Sequence, residues 1–567
     1  MGEMRVLVDK DASHACSRQN RRHEAILDRD PGLVGNKQYA GASGHVRKIK
    51  PIVAMVVMVA FFVSAMFALP IVPSSHMPEK TPTPIRTVAL TPHDPIAING
   101  NAGFTGSNSS TGITKGSGTV SDPYVIEGWE ISFWTVDGIS ISNADVHFVI
   151  QECYVHNLGP SGMAILLDAC SNCTIRNCTF SNDYIGIWLG SSSGNYLVNN
   201  TCSNCWHGID LSALYLVGSS DNNILINNNC SSNSLGINIE YSVNITLINN
   251  TCSSNYDSGI VILLSSNNTL SDNNCNSNGY YGMYVSLSSN NTLVNNTCDS
   301  NGDFGMYLVS RSSNNTLTNN TCCLNSQDGI MLLVCSNNAL NDNNCSSNGN
   351  GTFLYGSNNN TLTGNTCGSN GYNGISLWSS NNSLTNNICN SNNYVGIGLS
   401  FASKNSLINN TCNSNGDGIS LNWSSSNNDM SRNLVCNNVE YGVFISSGSD
   451  NRIWNNTFVD NRGAGSVYDP AHVQAYDDGT NWWNSSGTPH GYGNYWSDWQ
   501  SPDNVPPYGI VDLPYSISGS AGAKDDYPLT TKPSMPIPEF GMTPLMVMIL
   551  LVVIVLAEET RRKKSRC

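Results

Sequence analysis

A motif of leucine, four other residues and cysteine recurs ten times between Leu197 and Cys412. Its copies follow one another every 22 to 24 residues, apart from one interval of 28. The same register extends outward with other apolar residues, from Ile150 on one side to Ile453 on the other, which makes fourteen repeats. One repeat of this length cannot bury its own apolar face, so neighbouring repeats have to stack into a solenoid.

A second pattern runs in step with the first: a glycine, an apolar residue, any residue and another apolar residue. Gly186, Gly282 and Gly374 each begin a copy. Apolar residues two positions apart indicate a short strand with one buried face, and no helical period accompanies them. Together the patterns predict an all-β chain folded as a right-handed parallel β-helix of about 14 coils.

Asparagine recurs at two places in the repeat. One Asn stands three residues after the leucine in twelve consecutive repeats, from Asn200 to Asn456, and another stands three residues after the cysteine, from Asn233 to Asn461. Coils stack about 4.8 Å apart, so we expect ladders of amides that donate hydrogen bonds to one another inside the stack. The alternative, disordered Asn/Ser-rich sequence, does not keep Leu, Cys, Gly and Asn in phase.

Cysteine is abundant, with 20 copies in the chain. Ten occupy one repeat position whose counterparts in the outer repeats are apolar, such as Val155 and Phe458. We therefore predict a ladder of core thiols, because metal ligands converge on one point instead of lining up. The ladder consists of Cys202, Cys230, Cys252, Cys275, Cys298, Cys322, Cys345, Cys367, Cys389 and Cys412.

Two further cysteines, Cys153 and Cys178, occupy one position outside this ladder on consecutive repeats. Their Cα atoms should lie within the separation that a disulfide allows, and an oxidising exterior permits the bond. We predict that they pair.

Two apolar segments flank the repeats and predict hydrophobic helices. Residues 51–72 carry no charge and directly follow Arg47, Lys48 and Lys50, which is typical of a signal anchor; a cleaved signal peptide is the alternative. Residues 540–557 precede a basic tail. Both basic flanks should face the cytoplasm, which places the repeats outside the cell.

The part between these segments is acidic, with 11 Lys and Arg against 33 Asp and Glu from residue 51 to residue 557. This balance argues against a nucleic-acid partner, since phosphates need clustered basic residues. The predicted organisation is a basic leader (1–50), a signal anchor or signal peptide (51–72), a linker and entry segment (73–115), the β-helix (116–461), a Trp/Tyr-rich cap (462–532) and a C-terminal anchor or sorting segment with a basic tail (533–567).

Motifs at both ends of the repeats resemble a known family. The entry runs from Gly116 to Trp129, and the exit contains Asn-Trp-Trp at 481–483, Gly-Asn-Tyr-Trp-Ser-Asp at 493–498 and Asp-Asp-Tyr-Pro-Leu at 525–529. Over residues 92–530 the chain resembles archaeal surface proteins of the NosD-like right-handed β-helix family. The resemblance implies a fold shared with carbohydrate-binding proteins and sugar hydrolases; the bacterial members that gave the family its name are periplasmic accessories in copper delivery to nitrous oxide reductase.

The hydrophobic C-terminal segment carries a second resemblance. Pro538-Glu539-Phe540 is similar to archaeal sorting signals in which this motif precedes a hydrophobic helix and a basic tail. The resemblance implies that the tail is removed and the anchor replaced by a lipid.

Metal chemistry finds little support in the residues. The histidines between the hydrophobic segments are scattered, without the His-x-His pattern or Met cluster that copper sites use. The exit loop from Asp503 to Asp512 has lost most of the carboxylates found in family members, which makes a calcium site there doubtful. We expect no cofactor and no metal site.

The residue two positions after each repeat glycine should point outward. At these positions the chain offers Trp188, Asp210, Asn238, Tyr284, Tyr307 and Phe353 as candidate ligand-binding residues. Exposed rings suit stacking on sugars or contact with another protein, and the polar pair could bond hydroxyls; the rings could equally be a structural cover of the strand face. A lyase or hydrolase needs paired carboxylates with basic residues on adjacent coils, and only one candidate is acidic. We predict no catalytic residue.

The leading functional interpretation is therefore a membrane-anchored, extracellular β-helix protein that binds glycans or neighbouring envelope proteins. A β-helix polysaccharide lyase or hydrolase is the first alternative. A copper-delivery accessory protein is the second.

Overall fold

The computed structural model describes residues 90–105, 108–134, 136–212, 218–485, 492–506 and 508–533. Both predicted hydrophobic segments, at 51–72 and 540–557, lie outside the described residues, as does the sorting motif at 538–540. Among the residues that are described, no helix is long and apolar enough to cross a membrane.

The described chain forms a parallel β-helix with three sides, two of which are continuous sheets. The first, here the Leu sheet, has 16 strands and contains the repeat leucine at the centre of each regular strand. All neighbours pair in parallel except the first two, which are antiparallel. Its strands are Ile113–Lys115, Tyr124–Glu127, Phe148–Gln151, Cys173–Arg176, Tyr196–Val198, Ile224–Ile226, Thr246–Ile248, Thr269–Ser271, Thr292–Val294, Thr316–Thr318, Ala339–Asn341, Thr361–Thr363, Ser383–Thr385, Ser406–Ile408, Asp429–Ser431 and Arg452–Trp454.

The second sheet, here the Gly sheet, also has 16 strands and carries the Gly-apolar-x-apolar pattern. Its strands are parallel throughout and in register from coil to coil, as in the pairing of Tyr284 with Tyr307. They are Ile96–Asn99, Ile139–Ser142, Met163–Asp168, Ile185–Gly190, His207–Leu211, Leu235–Glu240, Ile260–Leu263, Met283–Ser286, Met306–Val309, Ile330–Leu333, Thr352–Tyr355, Ile375–Trp378, Val395–Ser400, Asp417–Asn422, Val443–Ile445 and Ala475–Asp477.

The third side, here the Cys side, has strands only near the two ends of the stack. In the middle coils it is reduced to single parallel bridges, such as Thr297 with Thr321. One end sheet comprises Thr91–Pro92, Trp129–Ile131, Tyr154–His156, Thr179–Ser181 and Thr201–Ser203; the other comprises Thr411–Asn413, Leu434–Cys436, Thr457–Val459 and Tyr495–Trp496.

Few other elements are present in the described part of the chain. The Gly sheet begins with Ile96–Asn99 and ends with Ala475–Asp477, and on the Cys side the strands begin with Thr91–Pro92 and end with Tyr495–Trp496. Strands of the β-helix therefore lie beyond residues 116–461 at both ends. The short helical turns are Asn101–Thr105, Asn108–Thr111 and Asn461–Gly463. A two-stranded antiparallel hairpin, Tyr515–Ser516 with Lys524–Asp525, lies in the cap.

The core between the sheets is a stack of similar layers. The repeat leucine and cysteine of each coil are completely buried, as Leu293 and Cys298 illustrate. All ten ladder cysteines have no exposed surface, so the prediction that they face the core is confirmed. In this environment they act as small apolar side chains that fill each layer.

Asparagine ladders connect the coils, as predicted. Asn320, for example, donates from Nδ2 to Oδ1 of Asn343 one coil further on at 3.0 Å, and also to the carbonyl oxygen of Leu293 one coil back at 2.9 Å. The second ladder, three residues after the repeat cysteine, has the same amide-to-amide contact, for example between Asn301 and Asn325. The polar atoms of these amides thus find their hydrogen-bond partners within the stack, without water.

The structure contains a third asparagine ladder, which was not predicted. Its residues lie two positions before the repeat leucine of each coil and follow one another without a gap from Asn268 to Asn481. The signal was present in the sequence, because the same spacing recurs in every coil of that run.

Candidate functional site

The outward face of the Gly sheet carries the six candidate ligand-binding residues. The strand register aligns Trp188 with Asp210 and Asp210 with Asn238, and further along it aligns Tyr284 with Tyr307. Phe353 lies on the same strip, next to Met331. Side chains alternate between the two faces of a strand, so these aligned outward residues form a strip along the Gly sheet. The residues of this strip differ in what they offer to a ligand.

Trp188 differs from the expectation of an outward, accessible ring. Its side chain is buried, with 3% of its surface exposed. The ring lies over Gly190, where any Cβ atom would collide with it, and the indole nitrogen donates to Oγ of Ser212 at 3.2 Å. Because a glycine two residues on provides the space, the ring folds back onto its own strand and is no stacking platform.

Asp210 and Asn238 are also buried, and they bond each other. Asn238 donates from Nδ2 to Oδ1 of Asp210 at 3.0 Å, and the other carboxylate oxygen lies 2.7 Å from Nδ1 of His207. Burial, together with the negative charge of Asp210, raises the pKa of Glu240 at the end of the next strand. Most of the hydrogen-bonding capacity that was expected to serve a ligand is used inside this group.

Tyr284 and Tyr307 form the centre of an aromatic patch. Their ring centroids are 5.7 Å apart, and each ring also contacts Tyr281, at 5.5 Å and 5.3 Å. Phe304 completes the group, 4.9 Å from Tyr307 and stacked at 5.8 Å on Tyr281. These four half-buried rings, from two adjacent coils, are called the tyrosine patch below.

Tyr281 and Phe304 were missed by the sequence analysis. Each directly precedes a repeat glycine, just before the Gly sheet strands Met283–Ser286 and Met306–Val309, and its ring contacts an outward tyrosine of those strands. The signal that could have found them is an aromatic residue before the glycine in two adjacent repeats.

Carboxylates border the tyrosine patch. Burial raises the pKa of Asp303, and burial together with the charge of Asp303 raises the pKa of Tyr281. Asp257 adds a smaller contribution to the same tyrosine. The patch therefore combines apolar ring faces with oxygen acceptors and phenol hydroxyl groups.

Phe353 belongs to a separate aromatic group further along the stack. Its ring meets those of Tyr355 and Trp378 edge-on, with centroids 6.3 Å and 6.2 Å away. Met331 separates this group from the tyrosine patch on the strip.

Cys153 and Cys178, the predicted disulfide, are both buried free thiols on adjacent coils. Cys178 Sγ lies 3.4 Å from the carbonyl oxygen of Arg176, and Cys153 Sγ lies 3.4 Å from that of Gln151. Their pairing stays a prediction.

Family models match most of the β-helix. A model described as a right-handed β-helix region matches residues 106–235 and 213–333, and one described as a periplasmic copper-binding protein, NosD, matches residues 323–501. The part of the chain from residue 323 to residue 501 thus matches the NosD family. Right-handed winding follows from the first of these models, and the two together extend from the entry to the cap.

Solved structures with this architecture share low sequence identity with this NosD-like chain. A mutant form of the periplasmic alginate epimerase AlgG is 16% identical over 55% of this chain and 82% of its own, with a TM-score of 0.43. The A-module of the Azotobacter vinelandii mannuronan C-5 epimerase AlgE6 is 15% identical over 63% and 87%, with 0.30, and the Streptococcus pneumoniae surface protein and adhesin PfbA is 12% identical over 48% and 88%, with 0.32. No curated protein matches.

The family description raises the question of a copper site. Among the residues that the structure describes, no group of three or more His, Cys, Asp or Glu side chains is arranged to hold a metal ion. Within the cysteine ladder, burial raises the pKa of the Cys275 and Cys298 thiols, which disfavours the thiolate form that binds metals.

The exit loop, where calcium was doubtful, uses its two carboxylates internally. Asp512 accepts the backbone N–H of Asn504 at 2.8 Å, and Asp503 accepts that of Gly509 at 2.9 Å. Both side chains thus brace the loop that carries them.

Proposed function

We propose that this chain is an extracellular, membrane-anchored β-helix protein that binds a polysaccharide at the tyrosine patch. The observation that carries the proposal is the contact of four rings, Tyr281, Tyr284, Phe304 and Tyr307, on one outward face. Sugar rings present apolar C–H faces that pack on aromatic rings, and their hydroxyls bond the oxygens around those rings.

The charges around the patch favour a neutral polysaccharide. Asp257 and Asp303 border the rings, and the region between residues 51 and 557 has three times as many acidic as basic residues. A polyanionic chain would be repelled from such a surface, whereas uncharged hydroxyls would meet acceptors.

The proposed location outside the cell is supported by the match to the NosD model and by the sequence. The NosD model is described as periplasmic, and the basic flanks of residues 51–72 and 540–557 orient the repeats away from the cytoplasm. We extend the proposal to the sorting motif at 538–540, whose cleavage would leave a lipid anchor.

The proposal is tested by titrating neutral and acidic polysaccharides into the full-length protein in detergent, with heat as the readout. We expect neutral chains to bind, and the double change Tyr284→Ala and Tyr307→Ala to abolish binding. The matched control is Tyr372→Ala with Tyr394→Ala, a pair of exposed tyrosines whose centroids are likewise 5.7 Å apart. Equal loss in both variants, or no loss in the first, would refute the patch as the binding site.

The same samples separate binding from catalysis. Chromatography of the polysaccharide after long incubation should show chains of unchanged length. Shortened chains would instead identify the protein as the lyase or hydrolase of the alternative interpretation.

A further inference from the structure

One edge of the Gly sheet is unusually apolar. At the last residue of the strand or at the turn residue directly after it, seven coils place an apolar side chain in solvent, with exposed fractions between 37% and 60%. We call this row the apolar ridge; it consists of Leu264, Leu287, Val334, Tyr355, Trp378, Phe401 and Trp423. Within the span it covers, one coil departs from the pattern, with Ser310 and Arg311 at the turn.

Five members of the ridge occupy a backbone conformation that disfavours their side chains. Leu264, Leu287, Val334, Phe401 and Trp423 have φ angles of 50°, 51°, 57°, 50° and 53°. A Cβ atom in this left-handed region crowds the following carbonyl, and bulky or β-branched side chains are the rarest there.

Other turns of the same coils solve this problem with small polar residues. In the turn after each Leu sheet strand the left-handed residue is Asn or Asp on nearly every coil, and in the turn before each Leu sheet strand it is again mostly Asn. The first group includes Asn227, Asn249, Asp272, Asn295, Asn319 and Asp342; the second includes Asn244, Asn267, Asn290, Asn314, Asn337 and Asn359. Folding alone would therefore be served by Asn on the ridge, and strained, exposed apolar residues point to an interaction.

The ridge is continuous in its C-terminal half. Ring centroids lie 5.7 Å apart from Tyr355 to Trp378, 6.1 Å from Trp378 to Phe401 and 5.9 Å from Phe401 to Trp423. Four consecutive coils thus present one row of touching aromatic rings.

We propose that the apolar ridge is the interface through which two copies of this chain associate side by side. Its seven exposed side chains offer on the order of 700 Å² of apolar surface, close to what one partner contributes to a stable interface and more than most monomers expose. The side chains recur at the coil spacing of about 4.8 Å, and a second copy has the same spacing. Side chains of one ridge therefore fit between those of the other on both sides of the coil that carries Ser310 and Arg311.

The composition of the ridge distinguishes this partner from a polysaccharide. Leu264, Leu287 and Val334 have no ring on which a sugar could stack, so a glycan would use the aromatic half alone. A self-complementary surface uses both halves, and the isologous contact of a two-fold dimer is the commonest form of association.

The test is sedimentation velocity of the full-length protein in detergent over a wide range of concentration. We expect a monomer–dimer equilibrium in the wild type and loss of the dimer in the triple variant Leu287→Asn, Phe401→Asn and Trp423→Asn. Removing one central aromatic residue commonly weakens an interface by ~30-fold or more. The variant should also melt at an equal or higher temperature, since Asn tolerates the left-handed turn, which excludes misfolding as the cause.

Leu324→Asn is the matched control. Leu324 is 63% exposed and has a φ of 59°, but it lies on the turn line that follows the cysteine, away from the ridge. This change should leave the dimer intact. A wild type that stays monomeric throughout, a triple variant that still dimerises, or a control that loses the dimer would each overturn the proposal.

Discussion

Asn494 donates a hydrogen bond from Nδ2 to Oδ2 of Asp525 across 3.2 Å, and the ladder that begins at Asn200 ends there. The other two ladders also end on carboxylates. Asn461 donates to Oε1 of Gln474, which continues that ladder and donates to Oδ1 of Asp498 at 2.6 Å. Asn481 donates to Oδ1 of Asp477 at 2.8 Å.

The direction of the ladders explains these three ends. One N–H of each ladder amide points toward the coil further along the chain, so the last amide of a ladder has a donor and no further asparagine to accept its hydrogen bond. A carboxylate is an acceptor only, and its charge complements the aligned amide dipoles. The cap therefore closes the polar ladders as well as the apolar core.

The first prediction tests this closure. Asp525→Ala should destabilise the protein by about 2–4 kcal/mol, because it leaves the backbone N–H of Asn494, the indole N–H of Trp496 and an amide hydrogen without an acceptor. Thermal melting monitored by circular dichroism measures the effect. The neighbouring Asp526 is exposed, so Asp526→Ala should change the melting temperature little; equal effects at both sites would contradict the closure.

The second prediction concerns pH. Burial raises the pKa of Asp525 to about 7 and that of Asp183 to about 8, both above the ordinary carboxyl value. The folded state then binds more protons than the unfolded state between these values and about 4. The free energy of unfolding should therefore fall as pH rises through this range, by at most about 4 kcal/mol for Asp525 and about 6 kcal/mol for Asp183.

Melting curves between pH 5 and pH 8 measure this slope. The substitution Asp183→Asn removes one of the two groups and should flatten the curve above pH 7, where Asp525 is already ionised. A melting temperature that rises with pH across the range would show that other carboxylates dominate.

The third prediction concerns the thiols. Native alkylation should label Cys323 and Cys436, which are partly exposed, and should spare Cys298 and Cys322, which are buried and whose pKa values burial raises. Peptide mapping by mass spectrometry reads the result. The same map shows whether Cys153 and Cys178 are bonded; ready labelling of ladder cysteines in the folded state would refute their place in the core.

The fourth prediction concerns ladder polarity. Asn320→Asp keeps the shape of the side chain but replaces a donor by an acceptor, which then faces Oδ1 of Asn343 and the carbonyl oxygen of Leu293. We expect a loss of about 3 kcal/mol or more in the free energy of unfolding. Asn319→Asp, in the adjacent exposed turn with a φ of 57°, is the control and should be nearly neutral, because Asp also tolerates this conformation.

Periodicity alone was enough to predict the stack. Within a strand, a shift by one residue moves the side chains to the other face, so the spacing from leucine to cysteine, kept from Ile150 to Ile453, identifies the core leucines and cysteines without coordinates. Two of the three asparagine ladders followed from the same register.

Only the tertiary structure decided what the outward residues do. Trp188 and Tyr284 occupy equivalent positions in the repeat, yet one ring is buried over Gly190 and the other lies in a patch of four rings. Neighbouring coils determine this difference, and it has no period in the sequence. The same holds for the apolar ridge and for the carboxylates at the ladder ends, because a turn conformation and a contact between distant segments depend on three-dimensional packing. Burial in a repeated layer, in contrast, depends on spacing along the chain.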